Sequence, residues 1–244
     1  MDSYVYCFCA ISLAEIQRAG GIENSRVRLI EHNGIIAVTT DYSGCAAPSL
    51  DNVISHHRVV NSISKVTTPI PCRFGTVMSR SNLEAYIEAN SPGLKVLLDR
   101  VRGCVEMALR ITWSSESIAS EFEDEINARS ARILPQYRGP GTRFLADKLR
   151  QAAFREIVER RAQDIKNWVD DRFAALVKDT AGRLIPEAAL IADIAHLVER
   201  AHVDQYRELF RSAARERTDL RFSSSGPWAP YSFAVVEKGI HLPS

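Results

Sequence analysis

Apolar and polar positions recur along this chain with two different periods, and the changes of period mark out its elements. Tyr4 to Ile11 gathers aromatic and β-branched residues into a short run that predicts a strand. Val27 to Ile30 and Ile35 to Thr39 bracket His32, Asn33 and Gly34. Asn-Gly supplies the positive φ angles of a tight turn, so two antiparallel strands are predicted there. From Leu50 to Val66 the period lengthens: Val53, Val59, Val60, Ile63 and Val66 recur at helical spacing, with Ser49 or Asp51 available as the cap. Pro69 and Pro71 hold the next segment extended as far as Val77, and Gly75 permits a bend after Arg73 and Phe74. Ser81 to Ala89 and Leu94 to Val101 have the pattern of short helices split by Ser91, Pro92 and Gly93. A domain boundary is predicted just after them, giving domains 1–101 and 102–244.

The second half begins with a strand pattern from Cys104 to Trp113, followed by a polar, acidic stretch from Ser114 to Tyr137 to which the pattern assigns no element. Thr142 to Thr180 contains neither glycine nor proline, and Leu145, Leu149, Ile157, Ile165, Trp168 and Leu176 form an apolar stripe among dense charges. One long helix, 142–180, is predicted. Ala188 to Val198 has the apolar run of a central strand, with a helix as the alternative, Asp204 to Arg217 is an amphipathic helix, and Leu220 to Ser224 and Tyr231 to Val236 are strands. The fold class expected is α+β, two domains each with a small sheet and packed helices, the second ferredoxin-like.

Composition narrows the function. With 31 basic and 30 acidic residues among 244, the chain has no global field to attract nucleic acid or anionic lipid. The arginines between Arg200 and Arg221 are interleaved with Glu199, Asp204, Glu208, Glu216 and Asp219 and lack an aromatic stacking platform. No nucleic-acid partner is expected. Five scattered cysteines match a reducing compartment, no run approaches the ~20 apolar residues of a membrane span, and Met1, Asp2, Ser3 lead straight into a strand pattern without a basic leader. The expectation is a cytoplasmic protein with no membrane partner.

Candidate chemistry is sparse. His56 and His57 point about 100° apart on a helix, too divergent to share a metal, and His56 falls in line with Val59, Val60 and Ile63 as a buried histidine bonded to backbone. Cys72 beside Arg73 has two readings, a thiolate favoured by the guanidinium or a core cysteine, and the Pro-apolar-Pro-Cys context favours the core. A thiol-dependent activity of Cys72 with His56 is therefore the minor reading. Arg73 has two readings, a tie between two elements by donation to carbonyls, which is favoured, and direct contact with a partner. Gly139-Pro140-Gly141 lacks the lysine and hydroxyl of a phosphate loop, and Cys7 and Cys9 are too closely spaced for a usual zinc pair. Neither a catalytic residue, a cofactor nor a metal is expected.

The closing stretch, Gly226, Pro227, Trp228, Ala229, Pro230, Tyr231, Ser232, Phe233, packs two prolines and three aromatics into eight residues and prescribes a rigid, ladder-poor corner. It resembles the closing motif G-P-W-P-P-Y-S-F of the gas vesicle accessory proteins of the GvpL/GvpF family, departing only at Ala229. Other segments are similar to that family in the same order. Pro69 to Val77, with Pro71, Arg73, Phe74 and Gly75, resembles P-v-L-P-x-R-F-G-T-v and follows His56 at matching distance. Val105 to Arg110, with Glu106, resembles V-E-W-x-v-K, with Met107 in place of tryptophan. Gly139 to Leu145, with Pro140 and Gly141, is similar to S-P-G-x-x-Y-L.

The resemblance implies a non-enzymatic assembly factor and minor structural component of gas vesicles. Its implied partners are the small hydrophobic shell subunit, which it would keep from aggregating, and other gas vesicle accessory proteins. The alternative is a scaffold that binds only those other accessory proteins. Trp228, Tyr231 and Phe233 are expected to lock the final strand onto the second domain, with interface anchoring as the other reading.

Overall fold

Asn33 and Gly34 adopt φ of 52° and 73°, and the hairpin they close joins β2 (Val27–His32) to β3 (Ile35–Tyr42), pairing His32 with Ile35. The computed structural model describes residues 2–10, 20–42, 49–114, 122–128, 140–185 and 190–234. β1 (Asp2–Cys9) lies beside β3, and the short β4 (Ile70–Pro71) and β5 (Val77–Ser79) both pair with β1, all antiparallel. β1 is buried from Ser3 onward because a helix covers each face of its sheet. α1 (Leu50–Ser64), capped by the Ser49 hydroxyl, contributes Val59, Val60 and Ile63 to a core with Tyr4, Tyr6, Cys7 and Cys9. α2 (Arg80–Val101) contributes Leu83, Ile87, Leu94, Leu97 and Leu98 to a second core with Val5 and Phe8. The pairing register shifts between Val5 and Cys7, so Tyr6 is the extra residue of a bulge and faces α1, as Tyr4 and Cys7 do.

α2 runs through Pro92 as one helix, where the sequence pattern predicts two. Proline inside a helix costs about 3 kcal/mol. The leucines on either side of it bury in the same core, which outweighs that cost.

A second sheet, of order β7-β8-β6-β9, is built from β6 (Cys104–Trp113), β7 (Val177–Leu184), β8 (Leu190–Glu199) and β9 (Leu220–Trp228). With α3 (Pro140–Phe173) after β6 and α4 (Val203–Glu216) after β8, the element order is β-α-β-β-α-β, a ferredoxin-like topology. α3 ends at Phe173, so the expected helix 142–180 is too long. Its last residues enter β7, which the sequence analysis misses because alternating half-burial from Val177 on carries little apolar signal. The strand needs Gly182, at φ 120°, since a Cβ there would meet the Asp193 carbonyl oxygen at 2.3 Å. Pro227 is tolerated in β9 because that strand is at the sheet edge.

The chain divides into two compact units: Met1–Met107 with Leu197–Ala201 and Gly226–Ser244, and Ala108–His196 with His202–Ser225. This differs from a single cut after residue 101. The closing stretch belongs to the first unit, because Ala229 and Ala234 are buried in the two cores flanking β1. Tyr231 to Phe233 form a 3₁₀ turn in place of the predicted strand. The stretch 114–137 is described as a helix only over 122–128, and Val235–Val236 lie outside the described residues. Among those residues, no helix is long and apolar enough to cross a membrane.

Candidate partner-binding site at the closing segment

Glu106 organises the closing segment in the first unit. The residue is 7 % exposed, and its carboxylate accepts from the Ser232 backbone N–H at 2.7 Å and from its hydroxyl at 2.9 Å. Burial pushes its pKa up, and the two Ser232 bonds pull the other way. Gly226, at φ 124°, lets the chain pass close to this strand: a Cβ would lie 2.7 Å from the Glu106 carbonyl oxygen. The peptide bond into Pro227 is cis. The route buries Ala229, Pro230 and Phe233 and leaves Trp228 and Tyr231 about one-third exposed. The Trp228 ring meets His57 of α1 edge-on, with centroids 5.3 Å apart.

Beneath α1 lies a polar network inside an aromatic cage. The Gly75 N–H donates to the Tyr4 phenol oxygen at 3.1 Å, and that hydroxyl is 2.9 Å from His56 Nδ1. The phenol can donate to Nδ1 or accept a second bond from it, and the imidazole tautomer sets the direction. Tyr6 and Phe74 pack against the same ring at 5.6 and 5.9 Å. Burial, helped by His57 and opposed by a backbone hydrogen bond at Cys72, pushes the pKa of His56 down to about 4, so the ring is neutral at pH 7. His56 is thus buried as predicted, but its Nδ1 is held by a side-chain hydroxyl.

The other predicted residues fall at separate places. Pro71 is buried in β4, opposite Cys7. Cys72 is buried, and burial drives its thiol well up. Arg73 is exposed, and its carbonyl, not its guanidinium, makes the turn by accepting from Thr76 N and Oγ1. Among the described residues the bend is fixed by the Arg73 carbonyl and Thr76. Pro140 and Gly141 open α3 in the second unit, and Gly139 lies outside the described residues. The structure therefore gathers His56, Phe74 and Gly75 around Tyr4, and Glu106 with the closing segment.

Sequence reasoning missed Tyr4, the hub of the cage, and Ser232, the partner of Glu106. Tyr4 opens the first predicted strand and Ser232 stands inside the closing motif, but only the folded chain supplies their partners. Among the described residues no group of three His, Cys, Asp or Glu is placed to hold a metal ion.

A two-sheet α+β fold with a ferredoxin-like topology, carrying a closing aromatic segment gripped by a buried carboxylate, defines the class. The sequence matches the gas vesicle synthesis protein GvpL/GvpF family over residues 2–235, and the chain belongs to that family. It is 29 % identical to gas vesicle protein L2 of Halobacterium salinarum, over 95 % of this chain and 90 % of that protein. It is 26 % identical to gas vesicle protein L of a Streptomyces species, over 91 % and 89 %. The fold is that of the crystal structures of gas vesicle protein GvpF from Anabaena sp. (TM-score 0.81, 17 % identity, 97 % and 99 % covered) and from Microcystis aeruginosa (TM-score 0.78, 19 % identity, 96 % and 99 % covered).

Proposed function

We propose that this protein is a non-enzymatic assembly factor and minor structural component of gas vesicles, working from the cytoplasm on the vesicle. It binds the hydrophobic shell subunit before assembly, keeps it from aggregating and assists nucleation. The observation that carries the reading is the family match from residue 2 to residue 235, which takes in both units and the closing segment. The physical logic is that a small apolar subunit exposes surface that aggregates unless a partner covers it. Trp228 and Tyr231, about one-third exposed and held by a rigid support, supply aromatic area of the kind found at interface cores.

The test is to co-express the shell subunit with and without this chain, measure the soluble fraction, and count vesicles in a deletion strain. A rise in soluble shell subunit and loss of vesicles on deletion are expected. Abundant normal vesicles in the deletion strain refute the reading. Capture of other accessory proteins but never of the shell subunit replaces it with the scaffold alternative.

A further inference from the structure

The first two turns of α1 are inverted in polarity. Asn52 and His56 face inward and are buried, while Leu50, Val53 and Ile54 face outward at 74, 43 and 43 % exposure. A surface helix ordinarily turns such residues to the core and polar ones to water. Leu50, Val53, Ile54 and His57 stand at i, i+3, i+4 and i+7, one continuous outer stripe, and Trp228 of the closing segment packs on its His57 end. Beside the stripe runs a groove of about 600 Å³. Asp51, Ser55 and Arg58 wall it from α1, one turn apart each, together with Glu23 and Asn24. Acid thus lies at Asp51 and base at Arg58, about 10 Å further along the helix, with Glu23 a second acid in the groove wall.

We infer that this outer face of α1, extended by Trp228, is the docking groove for one amphipathic helix of the apolar shell subunit. The occupant's helix lays its apolar face on Leu50, Val53, Ile54 and Trp228. On one flank it carries a basic residue opposite Asp51 and an acidic residue opposite Arg58, two turns apart. Area selects a helix over a second copy of this chain. The exposed apolar surface of these four side chains is roughly 350–400 Å², within the range of functional patches, whereas a stable dimer buries about 800 Å² per partner. The identity of the partner rests on the proposed function; the groove and the helical form of its occupant do not.

The test uses the full chain labelled with 5-fluorotryptophan, whose three fluorine resonances belong to Trp113, Trp168 and Trp228. The probe is a synthetic helical peptide with Leu or Ile at i, i+3, i+4 and i+7, Lys at one end of its flank and Glu seven residues on. The expected result is a shift of the Trp228 resonance alone. Ile54→Glu, which keeps the far-ultraviolet circular dichroism spectrum, weakens binding at least tenfold. Arg58→Glu weakens it and restores it toward a peptide with Lys at the position of Glu. The control Leu145→Glu, on an exposed position of α3, binds as the parent does. Unchanged Trp228, or equal binding by Ile54→Glu, overturns the inference.

Capture of the purified shell subunit, run in parallel, separates the two claims. Capture that Ile54→Glu leaves intact overturns the groove and spares the function. A Trp228 response to the peptide without any capture of shell subunit supports the groove and sinks the function.

Discussion

Tyr4 shows how one side chain decides whether a buried polar group is tolerated. Its hydroxyl satisfies the Gly75 N–H and His56 Nδ1 together. Tyr4→Phe deletes the oxygen and leaves both without their partner, which costs about 1–3 kcal/mol per buried group. Urea unfolding should show a drop of that order, and an unchanged midpoint would mean that water enters the cage. Glu106→Ala does the corresponding damage at the closing segment by removing both partners of Ser232. Limited proteolysis is expected to cut near residues 226–234 in that variant while sparing α2, and parental protection there would refute the gripping role. Gly226 and Gly182 are restricted by positive φ combined with a carbonyl where a Cβ would stand. Either glycine changed to alanine is expected to yield mostly insoluble protein, as judged by soluble expression.

At the scale of elements, packing overrides local propensity twice. Pro92 breaks no helix because α2 buries apolar residues before and after it in one core. Since Pro92 itself is exposed, Pro92→Ala should restore a backbone bond without disturbing that core. A gain of about 1–3 kcal/mol in denaturant unfolding is expected, and a loss would show that the bend is needed for packing. β7 is the reverse case, a weakly apolar segment made a strand by its place beside β8. α3 buries Ile157, Val158, Ala162, Ile165, Val169 and Phe173 in its C-terminal half, where Trp168 lies under Arg217 at 5.4 Å. Phe144 and Leu145, near its start, are exposed. The stripe that the sequence suggests along the whole helix is therefore largely spent on the fold.

For the molecule as a whole, among the described residues each unit holds one buried, neutral histidine paired through Nδ1 with a tyrosine hydroxyl: His56 with Tyr4, and His196 with Tyr206 at 2.9 Å. Burial lowers His196 to about 4, with Asp170 opposing and Lys166 assisting. Both folded-state values lie below the unfolded value of ~6.5, so the unfolded chain binds more protons between them. The stability from each is complete above pH 6.5 and is lost as pH falls toward and through 4. By pH 5 the loss is about 2 kcal/mol per histidine. Glu106, whose pKa is raised, acts with the opposite sign and offsets part of this as it protonates. Denaturant unfolding at pH 7 and pH 5 should show the fall, and His196→Gln should reduce it in the second unit. A flat profile would mean that water reaches both rings.

Local chemistry was legible in the sequence because it depends on neighbours along the chain. The Asn33-Gly34 turn, the Ser49 cap, α4, the strand that became β8 and the rigid closing corner were all readable, and the ordered motifs carried the family from end to end. What depends on partners far along the chain was not readable. The sequence could not show that the closing segment returns to Glu106, 126 residues away, instead of completing a second domain. Nor could it show that Val53, counted with Val59 and Val60 toward one buried face, points outward with Leu50 and Ile54. Periodicity says which residues share a face, but which face meets the core is settled only when Tyr4 offers His56 a hydroxyl. The bond between Tyr4 and His56 Nδ1 lets the first two turns of α1 turn Asn52 and His56 in and leave Leu50, Val53 and Ile54 out, while Val59, Val60 and Ile63 further along the helix stay in the core.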